Sequence, residues 1–166
     1  MTTPTRPQAD RPPFLDKTNP DVFAALGDVA GQVSDACEAA GLDRVDIELL
    51  NVAISQRNGC AYCTDLHTRR ARKAGADQQL LDALPVWGES ALFTDRQRAI
   101  LDLGLTITSL PSPRRRRRAI RAGRRHLTVD QLAAVEWSAI LMNAFNRVSI
   151  MSEHPVKRRS TPKNKG

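Results

Sequence analysis

The chain has 166 residues, of which 41% are hydrophobic and 26% charged, with a formal net charge of +7. That is one domain's worth of chain with enough apolar residues for a core, and Asn51, Ser55 and Gln56 interrupt the longest apolar run well before a membrane span of roughly 18 residues. The basic excess is local: eight arginines lie between Arg114 and Arg125, and five more Lys or Arg between Lys157 and Lys165, leaving a mildly acidic body that excludes a whole-domain nucleic-acid footprint.

Residues 1–18 are polar and proline-rich and lack the apolar stretch of a signal peptide. They are expected to form a disordered arm on a cytoplasmic protein. Asn19-Pro20, an N-cap residue followed by proline, opens the first predicted helix. Val22, Leu26, Val29, Val33, Cys37 and Ala40 recur along it at helical spacing, and Gly41 closes it. Cys37 lies on that stripe and reads as a small core residue. Asp43 caps a second helix over residues 44–58, ended by Gly59. It is apolar nearly all round, as a core or interface helix is, which makes Glu48 conspicuous.

A third helix begins near Cys60 and runs to Ala74, with Gly75 as its C-cap. A short fourth opens at Asp77 and stops at Pro85, and residues 87–93 read as a turn or short helix. Thr94 caps a fifth, from Asp95 to about Thr108. Pro111-Ser112-Pro113 breaks the chain before an arginine-rich segment that is helical to Arg125. Thr128 with Gln131 forms a capping box for the last helix, which reaches about Met151. No segment alternates with the period of a strand. The expectation is an all-α domain over residues 19–152, built of six or seven helices, with a disordered basic tail over 153–166.

Two of the three cysteines form Cys60-Ala61-Tyr62-Cys63, which favours redox or metal chemistry over a disulfide framework. At roughly 100° per residue, Cys60, Cys63 and His67 fall within one arc of about 60° at the start of a helix. Unpaired N–H groups and the helix dipole favour a thiolate there. His67, four residues after Cys63, can take its proton, and Glu48 can orient the imidazole if the second and third helices pack together. Haem attachment would need histidine at position 64, which is Thr64. A thioredoxin-like site needs a preceding strand, and none is predicted. Zinc held by Cys60, Cys63, His67 and Glu48 would be an awkward tetrahedron, so no metal or cofactor is expected. Two buried cysteines and a core histidine remain the structural alternative. His126 and His154, beside the basic strips, read as surface residues.

Glu48, then Cys60-Ala61-Tyr62-Cys63, then His67 resembles the AhpD-like alkylhydroperoxidase family, within the carboxymuconolactone decarboxylase superfamily. Arg57-Asn58-Gly59 and Thr64-Asp65-Leu66 around the motif, Phe93-Thr94-Asp95-Arg96 downstream and Asn143-Ala144-Phe145-Asn146-Arg147 in the last helix fit the same pattern. The resemblance covers roughly residues 20–151. It implies a helical homo-oligomer (trimer or hexamer, or a dimer) that reduces hydroperoxides. By that likeness Cys63 attacks the O–O bond, Cys60 condenses with the sulfenic acid to a disulfide, and His67 and Glu48 relay protons. A dithiol donor, such as a lipoylated or thioredoxin-like protein, then restores both thiols. Tyr62 departs from the branch of the family that has histidine between the cysteines. The decarboxylase branch lacks the cysteine pair, which disfavours lactone decarboxylation. The competing functions are a general thiol–disulfide oxidoreductase or redox sensor using the same dithiol, and polyanion binding by the residues between Arg114 and Arg125. That strip has no interleaved aromatic residue for base stacking.

Overall fold

A computed structural model describes residues 11–158 of the chain. Among these residues eight α-helices follow one another: α1 (Leu15–Thr18), α2 (Pro20–Ala39), α3 (Arg44–Asn58), α4 (Ala61–Ala74), α5 (Gln78–Ala83), α6 (Asp95–Ser109), α7 (Pro113–Gly123) and α8 (Val129–Met151). One turn of 3-10 helix over Leu84–Val86 carries the chain out of α5, and there is no strand among the described residues. The fold is therefore all-α.

The boundaries follow local chemistry. Asp43 accepts a hydrogen bond from the Val45 N–H at the start of α3. Thr94 and Thr128 each form a complete capping box with Gln97 and Gln131, satisfying donors that a helix start otherwise leaves open.

The bundle is organised around α3, which packs against α4, α6 and α8. One core, including Leu50, Ile54, Ile100, Leu103, Val135 and Met142, lies on one side of it. A second, including Leu49, Val52, Ala71, Leu84 and Leu101, lies on the other. Burial on both sides is why α3 shows apolar residues all round. The α3–α6 crossing is close enough that a β-carbon at Gly104 would collide with Leu50.

Three expectations change. Leu15–Thr18, assigned to a disordered arm, is helical, and its start is tied to the far end of the chain by Leu15 N–H donating to Ser152 Oγ (3.0 Å). The segment after Met151, assigned to the tail, turns back at Glu153 (φ 48°) and brings His154 against Phe14 with ring centroids 5.6 Å apart. The remainder of the expected arm and tail, residues 1–10 and 159–166, lies outside the described residues. α7 stops at Gly123 and residues 124–126 form turns, so the arginine segment is helical for less than its full length. On α2 the predicted stripe buries only Cys37, while Val22 and Val29, with Phe23 beside them, stay exposed, because this helix packs mainly on α8 and α1.

Candidate active site

The cysteine pair owes its position to a helix-to-helix turn. Gly59 adopts a left-handed conformation (φ 72°) that a β-carbon would strain. Its N–H donates to Gln56 O (3.1 Å), and the Cys60 N–H donates to Ser55 O (2.9 Å), closing α3 in a Schellman turn. Cys60 thereby becomes the N-cap of α4, its Sγ accepting the Cys63 N–H at 3.3 Å. A polar network pins the turn to α8. Asn58 Nδ2 donates to Asn143 Oδ1 (2.9 Å) and Asn146 Oδ1 (2.8 Å), and Asn146 Nδ2 donates to Ser55 Oγ (3.1 Å).

The packing of α3 on α4 brings Glu48 and His67 together. Glu48 Oε2 accepts from His67 Nδ1 at 2.7 Å, and its other oxygen pairs with Arg44 Nη2 at 2.6 Å. Glu48 is 1% exposed and His67 7%. Burial alone would push the Glu48 carboxyl up. The hydrogen bond and charge of His67, with the charges of Arg44 and Arg70, outweigh it and hold the group below the usual range. With Nδ1–H committed to Glu48, Nε2 is the ring nitrogen left to exchange a proton.

Cys63 and Cys60 are both buried thiols, but they meet different surroundings. Cys63 lines a cavity of about 880 Å³ together with His67, Glu48, Arg44, Arg70 and Tyr62, walled by apolar side chains such as Phe23, Val33, Leu66, Met142 and Phe145. Cys60 instead borders a shallow depression beside Gly59, Thr64 and Val156. Burial, and then its contact with Cys63, push the Cys60 thiol up from 9.0 to about 12, against an opposing hydrogen bond from Ser149. Burial thus favours the thiol form of Cys60, while Cys63 is the sulfur that faces the cavity with His67.

All four residues singled out by sequence thus fall in one place. Cys63, His67 and Glu48 share one cavity, with Cys60 touching Cys63 from the other side. Sequence reasoning missed Arg44, one helical turn before Glu48, and Arg70, which reaches the same cavity from α4. It also missed Ser149 and His154, which carry no local pattern. His154 is no simple surface residue: it lines the cavity and is half-buried against Phe14, Tyr62, Asp16 and Ser149. Cys37 is a core residue, as expected, and it also lines that cavity. His126 is exposed. Among the described residues no three His, Cys, Asp or Glu side chains are placed to share a metal ion.

A model of the carboxymuconolactone decarboxylase family matches residues 20–104. The chain belongs to this family. It is similar to the uncharacterized protein YdfG of Bacillus subtilis, with 33% identity over 111 residues that make up 67% of this chain and 76% of that protein. The alkyl hydroperoxide reductase AhpD of Streptomyces coelicolor is 46% identical over 41 residues, 25% of this chain and 23% of that one. A crystal structure of an Agrobacterium tumefaciens protein of unknown function, suggested to be an antioxidant defence protein AhpD, superposes with a TM-score of 0.76. That match has 26% identity and covers 86% of this chain and 96% of the other. The protein is thus an AhpD-like member of the family, and no helix among its described residues is long and apolar enough to cross a membrane.

Proposed function

We propose that this AhpD-like protein is a thiol-dependent peroxidase acting on organic hydroperoxides. The observation that carries the reading is the buried Glu48–His67 hydrogen bond of 2.7 Å, set in the same apolar cavity as Cys63. The carboxylate fixes the imidazole with Nε2 as base, and His67 takes the Cys63 proton. The Cys63 thiolate attacks the distal peroxide oxygen, forming Cys63–SOH, and the alkoxide leaves as the alcohol with the proton held by His67. Cys60 then displaces hydroxide from Cys63, which departs as water, and the disulfide forms. A dithiol donor reduces it by exchange, so no metal or cofactor enters the cycle. The apolar walls favour an alkyl substituent on the peroxide, and Arg44 and Arg70 at the cavity favour a polar or anionic end.

The reading includes a homo-oligomer, supported by the exposed Val22, Phe23 and Val29 of α2. Sedimentation of the intact chain tests that part. The activity is tested by following consumption of an organic hydroperoxide with dihydrolipoamide as reductant, while mass spectrometry follows a Cys60–Cys63 disulfide. A wild-type protein that neither consumes peroxide nor forms that bond would overturn the proposal.

A further inference from the structure

The two ends of the described chain meet at His154. Its Nε2 lies 3.0 Å from Asp16 Oδ1, a carboxylate that can only accept, so this nitrogen donates. Its Nδ1 lies 3.3 Å from Ser149 Oγ, one helical turn back on α8. The Ser149 hydroxyl in turn reaches the Cys60 sulfur. The imidazole is held in place by stacking on Phe14 and by an edge contact with Tyr62 at 5.4 Å. Asp16, His154 and Ser149 therefore form a hydrogen-bonded line that starts at a partly exposed carboxylate and ends beside the buried Cys60 thiol.

We propose that Asp16, His154 and Ser149 form a second proton relay that serves Cys60, as Glu48 and His67 serve Cys63. It deepens the peroxidase reading by supplying a base for the step in which the buried Cys60 thiol attacks the sulfenic acid. In the resting state Cys60 S–H donates to Ser149 Oγ and Ser149 O–H donates to neutral His154 Nδ1. As Cys60 attacks Cys63–SOH, its proton passes to Ser149 while the Ser149 proton passes to His154. The S–S bond forms, the S–O bond breaks, and the expelled hydroxide takes a proton from solvent and leaves as water, which balances the proton the relay releases. The imidazolium is stabilised by Asp16 and releases its proton to solvent, or returns it to Cys60 when a dithiol reopens the disulfide.

The charged and titratable groups around His154 are Asp16 and Lys17 of α1, Tyr62 of α4 and, lining the same cavity, Cys37, Glu38, Arg44, Glu48, Cys63, His67 and Arg70. Of these Asp16 alone is hydrogen-bonded to the imidazole. Around Cys60 the titratable neighbours are Cys63 and, at the shallow depression, Asp65.

The test uses the full chain carrying Cys37→Ser and Cys63→Ser, in which Cys60 is the sole thiol, and reads its alkylation by iodoacetamide against pH. Adding Ser149→Ala removes the donor beside the thiolate and His154→Gln removes the base behind it, and either should slow alkylation about tenfold at a given pH, a midpoint rise of roughly one unit. Asp16→Asn, at a partly exposed position, should act in the same direction and more weakly. Midpoints unmoved by both Ser149→Ala and His154→Gln overturn the relay, even if those variants lose peroxidase turnover through altered packing. The assay uses no peroxide, so a wild-type protein inert towards hydroperoxides would sink the proposed function without touching this result.

Discussion

Cys60 and Cys63 are separated by two residues and one turn of helix, and their settings differ in almost every physical respect. Cys63 faces an apolar cavity with an imidazole whose tautomer is fixed by a buried carboxylate. Cys60 sits at the mouth of a Schellman turn, accepts a backbone N–H, and touches a serine hydroxyl at the end of a hydrogen-bonded line drawn from both chain ends. The motif supplies two sulfurs, and the helices packed around it assign them different work. In the proposed cycle the one in the cavity meets substrate, and the other waits as a thiol.

The largest effect that could break this contrast is loss of the first sulfur. Cys63→Ser should lower hydroperoxide consumption to the uncatalysed level. Cys60→Ser should still oxidise once, leaving a sulfenic acid on Cys63 that dimedone traps and mass spectrometry counts. If the two variants exchanged these phenotypes, the assignment drawn from the cavity would be wrong. Next in size is Glu48→Gln, which keeps the shape but loses the charge that orients His67. Turnover should fall on the order of 10²-fold, the scale of a disabled general base. The same carboxylate contributes to stability with a definite sign. Its folded pKa lies below the ordinary 4.5, so the contribution is present above 4.5 and is lost as pH falls through the lowered value. Denaturant midpoints of wild type and Glu48→Gln should therefore differ at pH 7 and draw together in acid.

Cys60 sharpens the contrast from the alkaline side. Its raised pKa favours the thiol in the folded state, so its contribution is complete below 9.0 and lost as pH rises towards about 12. Wild type should lose stability faster than Cys60→Ser between pH 9 and 10.5, as followed by urea denaturation. Equal slopes would mean that the Cys60 thiol ionises as freely in the folded protein as in the unfolded chain.

What could be read in advance divides along the same line. The Cys63 side is local: Glu48, Cys63 and His67 lie on adjacent helices whose ends are set by Asp43, Gly59 and Gly75, and helical spacing alone puts Cys63 and His67 on one face. The Cys60 side is built from long-range contacts. Asp16 and His154 are 138 residues apart, and neither lies in a periodic pattern. α1 has four residues and no side-chain cap, so nothing short-range announces it; it forms where Leu15 and Phe14 find Ser152 and His154. The apolar stripe of α2 was legible as a stripe. Periodicity cannot say whether such a face is covered by its own chain, and here Val22 and Val29 are left uncovered.

The smallest expected effect concerns the anchor beneath both cysteines. Asn146 is fully buried, accepts from Asn58 and donates to Ser55 at the end of α3, one turn before Gly59. Asn146→Ala removes both hydrogen bonds and leaves the Asn58 amide and the Ser55 hydroxyl each short of a partner. The cost should be about 2 kcal/mol, within the range for stranding buried polar groups, read as a lowered urea midpoint with unchanged slope. Because the network holds the turn and touches neither sulfur, the pH profiles of thiol alkylation should keep their midpoints while the protein melts earlier. A shift in the Cys60 profile alone would instead mean that the turn geometry, and the Cys63 N–H bond it presents to Cys60, sets that thiol's ionisation.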